Sequence, residues 1–103
     1  MKIAAPFLFA SALAVFAAAP VIADDVRPDK VVELLEQGAI RNLAELNDVA
    51  LGLHPNATIH DTELEQEYGA YIYTVELRDA QGQEWDVKIN AESGEVVKNE
   101  RDD

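Results

Sequence analysis

Residues 69–91, GAYIYTVELRDAQGQEWDVKINA, decide the fold of this chain. Apolar and polar residues alternate on both sides of a short polar segment, with the period of two that is typical of half-buried β-strands. Asp79 and Gly82 stand where a type I turn followed by a glycine bulge requires them. The pattern predicts a hairpin in one register, because a slip of one residue sets apolar against polar side chains throughout. The predicted apolar pairs are Leu77 with Trp85, Val75 with Val87, and Tyr73 with Ile89.

The same register collects charged side chains on the outer side of the hairpin. Glu76 falls directly opposite Asp86, and like charges facing each other across a strand pair destabilise a sheet. Two interpretations are open: Arg78 and Lys88 screen this pair on an ordinary solvated surface, or the acidic strip binds a basic segment of a partner or a divalent cation. The candidate partner-binding residues are Tyr68, an exposed aromatic at the preceding turn, with Glu76, Arg78, Glu84, Asp86 and Lys88.

Two further strands flank the hairpin. A two-residue turn at Tyr68 and Gly69 predicts a preceding strand with Leu64 opposite Tyr73. Ile59 lies at the opposite parity to Leu64, which indicates a bulge between them. Downstream, residues 92–94 turn the chain into a short last strand at 95–98, and residues 98–103 are predicted to form a charged disordered tail.

Helical spacing replaces the period of two upstream of residue 55. Pro28 begins a first helix and Gly38 can end it. Asn42 begins a second helix in a capping box with Glu45, and apolar residues then recur at steps of three and four. We predict an α+β fold of order α-α-β-β-β-β, with two N-terminal helices packed on one face of a four-stranded antiparallel β-meander.

Residues 1–23 have the features of a secretory signal peptide. Lys2 provides the positive start, an uncharged apolar run follows, and small residues precede a cleavage site after Ala23. The alternative is an uncleaved membrane anchor, but the apolar stretch lies at the short limit for a membrane span. We therefore expect a periplasmic or secreted bacterial protein with no membrane contact after cleavage, beginning with a polar lead at residues 24–30.

Composition excludes several classes of function. The chain has 103 residues and a formal charge of −12, from 8 basic against 20 acidic residues, which argues against a nucleic-acid surface. It has no cysteine, so disulfides, thiolate metal sites and cysteine nucleophiles are excluded. His54 is expected to cap the second helix, while His60 and Asp61 are weak candidates for metal ligands. No catalytic constellation stands out, so we expect neither an enzyme nor a cofactor.

The hairpin and the segment after it resemble the PepSY domain family. The sequence Asn-Ala-Glu-Ser-Gly-Glu-Val-Val at residues 90–97 is similar to the family's D-A-x-T-G-x-V ending, with Asn for Asp and Ser for Thr. The resemblance covers residues 31–97. It implies a non-catalytic binding module, because PepSY domains occur in propeptides of thermolysin-like metallopeptidases, where they are associated with inhibition and folding of the peptidase. No peptidase domain follows in this sequence, so inhibition would act in trans.

Two functional hypotheses follow. The first is a periplasmic protein-interaction module that inhibits or regulates a peptidase in trans, or contacts an envelope signalling protein, through the outer sheet face and an edge strand. The alternative is a small-ligand or divalent-cation sensor that feeds an envelope signalling system. This alternative rests on the acidic strip and on the neighbouring His60 and Asp61.

Overall fold

The computed structural model describes residues 24–102. The predicted signal peptide, residues 1–23, lies outside the described residues. Within them, no helix is long and apolar enough to cross a membrane. The elements are β1 (Asp24–Asp25), α1 (Pro28–Gln37), α2 (Leu43–Leu53), β2 (Thr58–Glu67), β3 (Ala70–Arg78), β4 (Glu84–Asn90) and β5 (Val96–Arg101).

The strands form one antiparallel sheet in the order β1-β2-β3-β4-β5. The predicted α+β class and the two helices are confirmed, but the prediction of four strands is wrong because the sheet has five. The additional strand is β1, which lies in the segment predicted to be a polar lead. Its two residues are Asp24 and Asp25, which pair with Gln66 and Glu65. Strand pairing here uses backbone groups, so it needs no apolar side chain and left no hydrophobic pattern to detect.

The prediction of a disordered tail from residue 98 is also wrong. β5 continues to Arg101, where it pairs with Trp85, and the Asp102 backbone N–H donates to the Glu84 carbonyl at 2.8 Å. The charged side chains of this segment are largely exposed, while its backbone completes the edge of β4. A charged edge strand is a common way to stop a sheet from pairing with other chains.

The predicted hairpin register is confirmed. Leu77 pairs with Trp85, Val75 with Val87, and Tyr73 with Ile89. The preceding strand also follows the prediction, because Leu64 pairs with Tyr73 and the β2–β3 register shifts between Ile59 and Asp61. The turn between β2 and β3 has positive φ at both central positions, 50° at Tyr68 and 80° at Gly69, as a type I′ turn requires.

The helices cover one face of the sheet, and the core lies between the two layers. Leu46 of α2 is fully buried with the central residues of β3 and β4, and burying such a side chain stabilises the fold by about 1.5–3 kcal/mol. The Tyr73 hydroxyl donates to Asn47 Oδ1 at 2.9 Å and ties β3 to α2. The other fully buried large side chains are Val75, Leu77, Val87 and Ile89.

The loop between the helices is attached to the turn between β4 and β5. The Arg41 backbone N–H donates to the Ala91 carbonyl at 2.8 Å, and Arg41 Nε donates to the Glu92 carbonyl at 3.1 Å. The Asn42 side chain caps α2 by accepting from the Ala44 backbone N–H at 2.8 Å. Glu45 pairs with Arg41 at 2.9 Å. The fold thus holds the helical layer on one side and leaves the opposite sheet surface uncovered by described elements.

Candidate functional site: the outer sheet face

The surface of the sheet turned away from the helices is here called the outer face. Strand alternation determines its members, because every second residue of each strand points to the same side. All the predicted partner-binding residues except Tyr68 lie on it. The outer face consists of Asp61, Glu63, Glu65 and Glu67 from β2, Ile72, Thr74, Glu76 and Arg78 from β3, Glu84, Asp86 and Lys88 from β4, and Lys98 and Glu100 from β5.

Strand β2 presents a continuous acidic row that the sequence analysis missed. Its outward residues from position 61 to position 67 are Asp61, Glu63, Glu65 and Glu67. Burial raises the pKa of Glu65, and the negative charges of Glu63 and Glu67 raise it further. The spacing D-x-E-x-E-x-E was visible in the sequence, and reading β2 with the period of two would have found it.

Glu76 and Asp86, here called the central pair, are cross-strand neighbours as predicted. Burial raises the pKa of Glu76, and the charges of Asp86 and Asp61 add to the effect. Burial likewise raises the pKa of Asp86, followed by the charge of Asp102. Asp86 Oδ1 and the Thr74 hydroxyl are buried and find no hydrogen-bond partner among the described residues. The central pair is therefore an electrostatically unfavourable arrangement with unused hydrogen-bonding capacity.

The two cations expected to screen the central pair each bind a different carboxylate. Arg78 Nη2 donates to Glu84 Oε2 at 2.8 Å, and this contact lowers the pKa of Glu84. Lys88 Nζ lies 3.2 Å from Glu67 Oε2, across the width of β3. Lys88 still lowers the pKa of Asp86, after Lys98, but burial and Asp102 outweigh both. Arg78 and Lys88 thus screen the charges of the central pair only in part.

His60 and Asp61, the two weak metal candidates, both lie beside Glu76. His60 Nε2 lies 3.9 Å from Glu76 Oε1 on β3 and 4.0 Å from Glu84 Oε1 on β4. Neither His60 nor Asp61 belongs to a group of converging ligand atoms among residues 24–102. Such groups, with ligand atoms within 4.8 Å of one another, are Glu76 with Asp86 and Asp102, and Asp25 with Glu63 and Glu65. Exposed acids often cluster without a metal, so this geometry alone assigns none.

Tyr68 stands at one end of the outer face. It forms the tip of the β2–β3 turn, and 83% of its surface is exposed, more than for any other large apolar side chain among the described residues. The salt bridge between Lys88 and Glu67 lies next to this turn. An exposed aromatic beside a charged surface is a favourable position for a contact residue.

His54 performs a structural role on the inner side of the sheet. It is the C-cap residue of α2, as predicted, and its ring stacks against Trp85 with a centroid distance of 4.4 Å. Its Nε2 lies 2.8 Å from Asn99 Oδ1, a partner in the segment expected to be disordered. Trp85 Nε1 in turn donates to Asp79 Oδ2 at 2.9 Å. The histidine thus helps to join α2, the hairpin and β5, and it takes no part in the outer face.

Comparison with known proteins relates the chain to one family. The family described as "Peptidase propeptide and YPEB domain", or PepSY, matches residues 42–100, from the N-cap of α2 into the last strand. The "Uncharacterized protein YkoJ" of Bacillus subtilis (strain 168) is 36% identical over 75 residues, which cover 73% of this chain and 43% of YkoJ. The chain therefore spans less than half the length of this relative. No solved structure matches.

Proposed function

Because the chain belongs to the PepSY family of peptidase propeptide and YPEB domains, we propose that it is a non-catalytic protein-interaction module outside the cytoplasm. We propose further that it inhibits or regulates a peptidase in trans. The family description associates the domain with peptidase propeptides. The single observation that carries the proposal is the central pair on the outer face. There Asp86 Oδ1 is buried beside the like charge of Glu76 and has no hydrogen-bond partner within residues 24–102.

Charge complementarity defines the partner that this face fits. The acidic row of β2 and the central pair together expose a negative surface, whereas Arg78 and Lys88 are already engaged by Glu84 and Glu67. A basic segment of a partner protein would relieve the repulsion within the central pair. Exposed ion pairs contribute only about 0.2–1 kcal/mol each, so the surface governs specificity and the rate of association more than affinity.

An inhibition assay tests the proposal. The purified protein, in increasing molar excess, is added to a secreted metallopeptidase of the thermolysin type from the same organism, and peptide hydrolysis is followed. Inhibition is expected to weaken as salt is raised, because exposed charges are screened beyond about 10 Å at 0.1 M ionic strength. Hydrolysis at the uninhibited rate for each such peptidase of the organism would refute regulation of this enzyme class.

A matched pair of variants shows whether the outer face mediates the effect. Glu76→Gln with Asp86→Asn removes two negative charges from the central pair. Glu36→Gln with Asp48→Asn removes the same two charges from exposed positions on α1 and α2. Only the first variant should lose inhibition. Equal inhibition by both variants would remove the outer face from the proposal, while leaving the family assignment intact.

The cation-sensor alternative remains a prediction. In the structure, the histidine named for it lies within 4.0 Å of carboxylate oxygens of Glu76 and Glu84. Titration of calcium, zinc and copper into the protein, followed by Trp85 fluorescence and melting temperature, tests this alternative separately. A saturable shift would favour the sensor, and a flat response would remove it.

A further inference from the structure

We infer that the open edge of β2 takes up an extended segment of the partner as an added strand, and that this segment alternates basic with apolar residues. The inference rests on the proposed function, since it names the part of the partner that is bound and a second surface that binds it. It differs from the outer-face proposal in using the backbone of the sheet edge.

The edge of β2 is only partly occupied. β2 spans ten residues and pairs with β3 along its length, whereas on its other side β1 pairs only with Glu65 and Gln66. The Val26 backbone N–H donates to the Leu64 carbonyl at 2.9 Å, and the chain then leaves the sheet to begin α1 at Pro28. From position 63 back to position 58, β2 has no strand partner on this side among residues 24–102.

Backbone groups suited to pairing continue beyond the end of β1. In an antiparallel sheet, alternate residues of a strand direct both N–H and C=O to the same neighbour. The Leu64 carbonyl accepts from Val26, so the backbone groups of Thr62, two residues earlier, point toward the same open side. At about 3.3 Å per residue, positions 58–63 provide about 20 Å of edge. The bulge between Ile59 and Asp61 interrupts the alternation within it, so regular pairing would begin at positions 61–63.

A groove marks the place where the added strand would begin. An open cavity of about 420 Å³ is lined by residues 25–28 from the β1–α1 connection and residues 62–64 from β2. It lies in line with β1, just beyond the last β1–β2 pair between Asp25 and Glu65. A strand entering there would extend β1 along β2 and satisfy the Thr62 backbone, as peptides do when they add to a sheet edge.

The side chains along this edge define the sequence of the segment. On the outer side, Asp61 and Glu63 are exposed and continue the row that Asp25 and Glu65 begin. Burial raises the pKa of Glu65, and the neighbouring charges of Glu63 and Glu67 raise it further. Lysine or arginine at every second position would oppose these carboxylates. On the inner side, Ile59 is half-buried and packs against the core, so the intervening positions favour apolar residues.

The same charges discriminate between occupants. A second copy of this chain would bring one acidic row against another, and like charges directly opposite each other destabilise strand pairing. Exposed edge strands are protected against self-association by such charges. A segment with basic residues at every second position meets no such repulsion. The edge therefore favours a basic segment of a partner over a second copy of this chain.

The test uses a short synthetic peptide of alternating lysine and valine and a control peptide with the same composition in two blocks. Each is titrated into the purified protein at low salt, and the exchange of the Thr62 amide hydrogen is followed by NMR. We expect the alternating peptide to bind at least about tenfold more tightly than the block peptide and to slow Thr62 exchange. Equal affinities, or binding without protection of Thr62, would overturn the inference.

Variants separate this inference from the proposed function. Thr62→Pro removes the edge N–H, and proline is tolerated at edge positions that face solvent. It should abolish peptide binding, whereas Glu36→Gln with Asp48→Asn should leave it unchanged. Thr62→Pro changes the backbone, so a second variant, Asp61→Asn with Glu63→Gln, changes only side-chain charge. This second variant should lose the preference for the alternating peptide. The added strand would be refuted if Thr62→Pro and Asp61→Asn with Glu63→Gln both kept peptidase inhibition and unaltered peptide binding. The proposed function would then still stand.

Discussion

Replacing the central pair by amides should stabilise the protein. Glu76→Gln with Asp86→Asn retains side-chain volume and removes two like charges that face each other on β3 and β4. It also replaces the half-buried Asp86 carboxylate with a neutral group that costs less to bury. The buried Oδ1 of this carboxylate has no hydrogen-bond partner among the described residues. Both effects lower the free energy of the folded state at neutral pH.

The size of the effect follows from the geometry of the sheet. Directly opposite residues have Cβ atoms about 5 Å apart, and a like-charged pair at such positions costs roughly 0.2–1 kcal/mol. Reduced desolvation adds to this, so we expect a total near 1 kcal/mol. For a domain of this size, that corresponds to a rise in Tm of about 4–8 °C. Thermal unfolding at pH 7, monitored by circular dichroism, measures it directly.

The pH dependence provides the decisive control. The pKa values of both carboxyl groups are raised in the folded state, above 4.5 for Glu76 and above 3.8 for Asp86. Folded protein therefore holds these protons more tightly than unfolded protein, so stability increases as pH falls through the folded pKa values. The variant cannot gain in this way. Its advantage should therefore shrink as pH falls through the folded pKa values, and it should be lost below the ordinary values of 4.5 and 3.8, where both carboxyl groups are protonated in the unfolded chain as well. A difference in Tm that is the same at pH 7 and pH 4, or that the Glu36→Gln with Asp48→Asn control reproduces, would refute the reasoning.

Three further predictions concern the rest of the fold. Leu46→Ala should lower the free energy of unfolding, measured by urea titration, by about 2–5 kcal/mol, because Leu46 is fully buried and its truncation leaves a cavity. A smaller decrease in the free energy of unfolding would mean that the core collapses around the site. Gly94→Ala should lower Tm, because Gly94 has φ of 80° and an added Cβ would lie 3.2 Å from Arg41 Nε. Asparagine tolerates positive φ better than alanine does. Restoration of Tm in Gly94→Asn would therefore show that the backbone conformation, and not the contact with Arg41, causes the loss. Asp79→Asn should reduce the loss of stability below pH 3.8. The hydrogen bond from Trp85 and those from the turn backbone hold the pKa of Asp79 below that value, so the stabilising effect of the carboxylate is lost as pH falls through the folded pKa. The same fall of Tm below pH 3.8 in the variant and in the unmodified protein would contradict this.

Much of the sheet was predictable because alternation is a local signal with long-range consequences. The period of two in residues 69–91 specified which face of the hairpin each strand side chain takes and how β3 pairs with β4, including Glu76 opposite Asp86. The bulge near Ile59 followed from the same parity argument. The predicted resemblance to the PepSY family was likewise confirmed.

The candidate site was less predictable where charged side chains choose among several neighbours. Sequence placed Lys88 on the outer face, but its partner is Glu67, on the far side of β3, rather than a residue of the central pair. The sequence suggests His60 and Asp61 as weak candidates for metal ligands, yet His60 lies within 4.0 Å of Glu76 and Glu84. Long side chains reach across a strand. The register therefore fixes the positions of their Cα atoms, and three-dimensional packing decides which partner the charged group contacts.

The amino-acid sequence by itself determined the helices, the hairpin, its register and the acidic character of the outer face, because these depend on residue periodicity and on turn chemistry within a few positions. Only the tertiary structure decided that Asp24 and Asp25 form β1, that β5 extends to Arg101, and that Asp102 approaches the central pair. Those features come from backbone groups completing the two edges of an existing sheet. Every residue except proline carries the same backbone donor and acceptor, so edge pairing leaves little trace in the side-chain pattern.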